Sequence, residues 1–141
     1  MNVSIIEYED SYFCSLKTIL KDVYNSNITQ DVIKNHYIDE NKKIFLVKAE
    51  ETIAGCAFLE IKTDYIRPNK YGFLTYVAIK ESYRKLGLGR QLINYALDSA
   101  KDNGCTSVEL TSANTRIGAH TFYESLGFTK KGTTVFIKEP I

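Results

Sequence analysis

The sequence predicts one α/β domain over residues 1–141, with a central mixed, mostly antiparallel sheet of about six to seven strands and about four helices. Three observations predict it. Runs rich in β-branched and aromatic residues are interleaved with stretches whose apolar residues recur at helical spacing. "KIFLVKA" and "IAGCAFLEIK" flank only the polar "EET" (Glu50 to Thr52), the pattern of an antiparallel hairpin. A helical stretch separates the strand ending at Ile79 from one beginning near Cys105, which calls for a right-handed parallel crossover.

The elements follow in order β-α-α-β-β-β-α-β-α-β(-β). "VSIIEY" reads as a first strand. From Asp10, Phe13, Leu16, Ile19, Leu20 and Val23 fall on one helical face, with Asp10 or Ser11 as N-cap. "TQDVIKNHYI" opens on Thr29, a good cap, and predicts a second short helix. After the hairpin, "YGFLTYVAI" (Tyr71 to Ile79) is a strand by composition. Leu88, Leu92, Ala96 and Ala100, with Ile93 and Leu97 alongside, predict a helix over 88–103 that Gly104 stops. "CTSVELT" is the next strand, and "TRIGAHTFYESLGF" a helix closing at Gly127. "FTKKGTTVFIKE" reads as two short strands around Lys130 to Gly132.

Composition narrows the function. The formal net charge of +1 points to no nucleic acid, membrane surface or acidic partner, and no stretch approaches the roughly 20 apolar residues of a membrane span. The first residues lack a basic segment followed by an apolar one, so cytoplasmic residence is expected. Cys14, Cys56 and Cys105 are widely spaced and odd in number, and only His36 and His120 could join them, so no metal is expected and the thiols read as buried and free. Neither G-x-S-x-G nor G-x-x-x-x-G-K-[ST] occurs.

One stretch asks for a chemical explanation. "YRKLGLGR" (Tyr83 to Arg90) places two glycines and three basic residues at the entrance of the predicted 88–103 helix. A helix N-terminus has unpaired N–H groups and the positive end of the macrodipole, and glycines let an anion approach them. The simpler reading is a turn that needs positive φ at Gly87 or Gly89, with the basic residues in water. A dinucleotide fold is disfavoured. Leu92 holds the place of the third glycine, "KESYR" separates strand from glycines, and Glu109 falls inside its strand.

Two segments together resemble the GCN5-related N-acetyltransferase (GNAT) family. "YVAIKESYRKLGLGRQLINYA" is similar to that family's V-x-(I/V), linker, R-x-x-G-x-G, helix segment. "NTRIGAHTFYESLGF" is similar to its N…A-x-x-F-Y-x-x-x-G-F segment. The resemblance runs from about Ile44 to Lys138 and implies a GNAT-like fold with acetyl-CoA as co-substrate. It implies that the backbone of Val77, Ala78 and Ile79 pairs with the pantetheine amides. The amides of the segment Arg84, Lys85, Leu86, Gly87, Leu88, Gly89 and Arg90, from Lys85 onward, would cradle the pyrophosphate. The Asn114 side chain would hold the pantetheine arm, and Tyr123 would protonate the leaving thiolate.

The implied activity is direct acetyl transfer to a primary amine of a small molecule. Acetylation of a protein amine, or an acyl-CoA-binding module without catalysis, are the alternatives. The chain departs from the family where relatives carry a strand glutamate eight residues before the motif arginine. Tyr76 stands there, leaving Glu60, Asp64, His120 or ordered water to take the amine proton. Glu81 stands where relatives have proline. The acceptor is expected between the helices of Ser11 to Asn41 and the Lys62 to Gly72 loop. A homodimer is expected from the same resemblance, through "TTVFIK".

Overall fold

The run "IFLV" is apolar without alternation, and a strand of that kind needs cover on both of its faces. The computed structural model describes residues 1–141, which divide into two units, Met1–Thr111 and Ser112–Ile141. In the first unit, β1 (Val3–Glu7), β2 (Lys42–Ala49), β3 (Thr52–Asp64), β4 (Asn69–Ile79) and β5 (Cys105–Leu110) form one sheet in the order β1-β2-β3-β4-β5. The first four are antiparallel to their neighbours and β5 is parallel to β4. A helix, α3 (Leu88–Asp102), makes the crossover the sequence calls for.

Alternation along β2 distributes the core. Ile44 and Leu46 join Leu16, Ile19 and Leu20 of α1 (Phe13–Tyr24), together with Ile28 and Ile33. Phe45 goes to the other face, where its ring meets Tyr95 of α3 at 5.3 Å. There Leu88, Leu92, Ile93, Ala96 and Ala100 are all buried, and Leu97 is half-buried. Each fully buried aliphatic or phenylalanine side chain contributes about 1.5–3 kcal/mol, so both helical layers are needed to hold β2 flat between them.

Helix ends follow local chemistry. The Thr29 hydroxyl accepts from the Val32 N–H at 3.2 Å, as a cap should, and opens α2 (Gln30–Val32), which continues as a π-helical turn over Ile33–Tyr37. α1 differs from expectation. A 3-10 turn, Asp10–Tyr12, precedes it, and neither Asp10 nor Ser11 caps it with a side chain. Asn25, at φ 53°, closes α1, and Gly104, at φ 87°, follows the end of α3.

The second unit holds one helix, α4 (Ile117–Ser125), followed by Gly127 at φ 94°. The sixth and seventh strands expected over residues 128–139 are not formed. The sheet has five strands, and this stretch has no backbone ladder. Val135, Phe136 and Ile137 have the β-propensity that suggested strands, but they are 78%, 91% and 78% exposed, and propensity without a pairing partner does not make a strand. Cys14 also departs from expectation. It is exposed, Cys105 is half-buried, and only Cys56 is fully buried.

Gly55 is the tightest point of the sheet. A Cβ there would lie 2.5 Å from the Ala78 carbonyl oxygen and 2.5 Å from Ile79 Cδ1. Gly55→Ala is therefore expected to lower stability by about 1–3 kcal/mol. Thermal denaturation checks this, and an unchanged melting temperature would contradict the close approach.

Candidate active site

β4 changes character halfway along its length. β5 pairs with its first part, Lys70 to Leu74, and stops at Leu110. Beyond that, Thr75 to Ile79 keep β3 on one side and have no strand on the other. The β3–β4 register shifts at the same place. Cys56 faces Ala78 and Phe58 faces Thr75, so Tyr76 and Val77 together oppose Ala57. This is a β-bulge, and it bends a strand away from its neighbour and re-aims the bulged side chain.

Tyr76 takes the strained position, at φ 51°. The Cys56 thiol donates to its carbonyl oxygen at 3.5 Å, while its ring meets Tyr24 at 5.2 Å and Phe58 at 5.7 Å. The Tyr24 hydroxyl donates to the Val77 carbonyl at 3.3 Å. Burial pushes the Cys56 thiol up to about 12, so it stays protonated and serves packing, not nucleophilic chemistry.

The unpaired flank leads into the glycine-rich turn. Arg84 Nε donates to the Ile79 carbonyl at 3.1 Å, tying the turn to the end of β4. Lys85 (φ 65°) and Gly87 (φ 79°) are both left-handed, and Gly87 is the N-cap of α3. The Gln91 N–H bonds the Gly87 carbonyl at 3.2 Å. The amides of Leu88, Gly89 and Arg90 precede the helical ladder and have no carbonyl one turn behind them inside the helix. Leu86 is half-exposed between the two left-handed residues. A Cβ on Gly87 would meet nothing within 4 Å, so this glycine is required by its φ and not by crowding.

Beside the bulge, on the α1 face of the sheet, lies a cleft of about 520 Å³. Leu20, Tyr24, Ser26, Ile28, His36 and Tyr37 form its wall, all within the Ser11 to Asn41 region expected to bound an acceptor. Lys42, Lys43, Phe58, Leu59, Glu60, Thr75 and Tyr76 form its floor. The Lys62 to Gly72 loop contributes nothing to it and instead borders a separate recess of about 300 Å³. Asp64 in that loop accepts the Ile66 and Arg67 N–H groups and so shapes the turn. Of the proposed proton acceptors, Glu60 lines the cleft.

The second unit carries the remaining expected residues. His120 Nε2–H donates to the Ala113 carbonyl at 2.9 Å, which fixes the loop bearing Asn114, itself exposed. Tyr123 is half-buried, its ring 5.6 Å from Phe122 and 6.0 Å from Phe128. Burial raises its phenol above the ordinary 10.0, with the Arg116 charge acting in the opposite direction. The structure thus brings Val77 to Arg90 into one continuous surface in the first unit, while Asn114 and Tyr123 belong to the second.

Sequence reasoning missed Tyr24, Tyr37, Phe58, His36 and Lys42 as lining residues. The only signal was weak: Tyr24 sits four residues after Leu20 and extends its apolar stripe with a polar tip. No group of three His, Cys, Asp or Glu side chains comes together as a metal site would need. No helix is long and apolar enough to cross a membrane.

Residues 7–128 match the model of the Acetyltransferase (GNAT) family. The chain is 26% identical over 106 residues to human N-acetyltransferase 8B, covering 75% of this chain and 47% of that protein. It is 33% identical over 87 residues to glucosamine 6-phosphate N-acetyltransferase of Trypanosoma brucei brucei, covering 61% and 57%. The chain spans about half the length of the curated relatives it matches. The crystal structure of glucosamine-6-phosphate N-acetyltransferase from Arabidopsis thaliana superposes with a TM-score of 0.80 at 19% identity, covering 99% of each chain. At that identity the likeness speaks for the fold.

Gly87→Ala is expected to cost about 1–2 kcal/mol through its left-handed φ alone, and Gly87→Asn less. Chemical denaturation checks the order, and equal stability of the three proteins would contradict the strained turn.

Proposed function

The chain belongs to the GNAT acetyltransferase family, and from that membership we propose that it moves an acetyl group from acetyl-CoA directly to a primary amine of a small molecule. The observation that carries this reading is the flank of β4 that loses its strand neighbour after Leu74 and runs into the turn where the amides at the start of α3 precede the helix's own hydrogen-bond ladder. A strand edge can pair with an amide-bearing arm, and a helix N-terminus accepts a diphosphate. The name of the Trypanosoma brucei brucei relative, glucosamine 6-phosphate N-acetyltransferase, supports a small-molecule acceptor.

Acetyl-CoA supplies an acetyl group activated as a thioester. Val77, Ala78 and Ile79 would align the pantetheine arm, the amides of Lys85 to Arg90 would hold the pyrophosphate, and Asn114 would fix the arm. A main-chain N–H near Val77 would steady the oxyanion as the amine nitrogen bonds to the acetyl carbon. Ordered water, relaying to Glu60 along the cleft floor, would take the amine proton, and Tyr123 would donate one to the leaving thiolate as the C–S bond breaks. Most of the acceleration would come from alignment and fixed dipoles. The exposed Val135, Phe136 and Ile137 support a homodimer formed through "TTVFIK", and light scattering that finds only monomer at micromolar concentration would exclude it.

Calorimetry with acetyl-CoA, followed by thiol release over a panel of amines, tests the central reading. No affinity in a folded sample overturns it, and binding without turnover favours an acyl-CoA-binding module. Tyr123→Phe is expected to lower kcat roughly 10²-fold while acetyl-CoA affinity stays within about twofold. Because the folded phenol is raised above 10.0, its protonated form persists through neutral pH and is lost only as pH rises beyond that value. The alkaline fall in rate should therefore lie above pH 10.0 and disappear in Tyr123→Phe. A Tyr123-dependent limb near neutrality would refute the assignment.

A further inference from the structure

The cleft beside the bulge is chemically lopsided, aromatic at one end and basic at the other. At the β4 end, Tyr24, Tyr76 and Phe58 form a chain of edge-on rings, and Tyr37 extends it with its ring 6.1 Å from Phe58. At the other end the floor carries Lys42, cross-strand partner of Glu60. Glu60 is the single carboxylate among the lining residues, against Lys42, Lys43 and His36.

The pairing of these charges matters. Lys43 Nζ is 4.0 Å from Glu7, and Lys62 Nζ is 4.0 Å from Glu60. Lys42 Nζ donates to the His36 carbonyl at 3.2 Å and has no carboxylate within ion-pair distance. A lysine of the cleft floor that is tied only to a carbonyl can take an anion as its partner. A second ammonium placed there would instead meet repulsion of about 1–4 kcal/mol at 4 Å.

The sheet register sets the distance between the two ends. Lys42 faces Glu60, and Glu60 faces Phe73, which lies four residues before Val77 on β4. With about 4.8 Å between strands and about 3.3 Å per residue, the Cα atoms of Lys42 and Val77 are roughly 16 Å apart. Reach of the Lys42 side chain toward that end would bring the span to the order of 10 Å.

We propose that the acceptor is a primary monoamine with a flat ring body and an acidic group, carboxylate or phosphate, about 10 Å from the nitrogen. Its ring would lie among Tyr24, Phe58, Tyr37 and Tyr76, and its acid on Lys42. The orientation rests on the acetyl-transfer reading, which puts the nitrogen at the Val77 end. Polyamines and multiply charged amino sugars are disfavoured by the same arrangement. The rings also surround the nitrogen with apolar surface, which favours the neutral, nucleophilic amine.

The test is calorimetry on the CoA-loaded protein with four probes: 4-(2-aminoethyl)benzoate, O-phosphotyramine, phenethylamine and spermidine. The acidic probes should bind at least tenfold more tightly than phenethylamine, and spermidine at least tenfold more weakly than the acidic pair. Whichever acidic probe is tighter identifies the acid as carboxylate or phosphate. In Lys42→Gln the ratio of acidic to neutral affinity should fall at least fivefold, and Lys42→Arg should restore most of it. Should Lys42→Gln fail to fold, the wild-type ranking and the Lys42→Arg protein still decide. Equal affinity for acidic and neutral probes, or tightest binding of spermidine, overturns this assignment. Failure to take up CoA at all overturns the transfer reading instead, so the two failures are told apart.

Discussion

The bulge at Tyr76 and Val77 is the constraint from which the rest of the site follows. In a closed sheet every interior N–H and carbonyl is used, and a strand flank without a partner is costly unless water or a ligand pairs with it. Here β4 gives up its parallel neighbour after Leu74, and two of its residues crowd opposite Ala57. A left-handed tyrosine costs about 1–2 kcal/mol. That conformation persists because its surroundings over-determine it. Tyr24 and Phe58 hold the ring, the Cys56 thiol holds the carbonyl, and the bare backbone of Gly55 lets Ala78 come close.

The same side chains serve the core and the cleft. Leu20 and Ile28 are buried among Leu16, Ile19 and Ile33, while Tyr37 and Phe58 pack against that cluster, and all four also line the cavity. The cleft lining is thus an exposed face of the packed interior and inherits its rigidity. Preorganisation of this kind reduces the ordering cost of binding. It also means that reshaping the cleft disturbs the packing of α1 on the sheet.

Much of the fold was legible because its punctuation is chemical. Gly87 and Gly104 bracket α3, and Thr29 caps α2 where a hydroxyl is needed. The parallel pairing of β4 with β5 followed from the helix that lies between them. The bulge left no such mark, since neither glycine nor proline stands at Tyr76 and the register shift depends on pairing with β3. The cleft was hidden for a related reason. Tyr24, Lys42, Phe58 and Tyr76 are distant in sequence and meet only through the register of three strands and one helix. The C-terminal stretch misled in the opposite way, because Val135, Phe136 and Ile137 have strand-forming side chains but no ladder.

The left-handed pair at Lys85 and Gly87 has a consequence for how such a surface ages under mutation. The direction of the amide groups is stored in torsion angles, and the identities of Leu86 and Leu88 matter there only as far as they keep the turn and the helix start in place. Drift in those side chains can accumulate without losing that backbone shape, whereas a bulky, β-branched residue at Gly87 would lose it in one step.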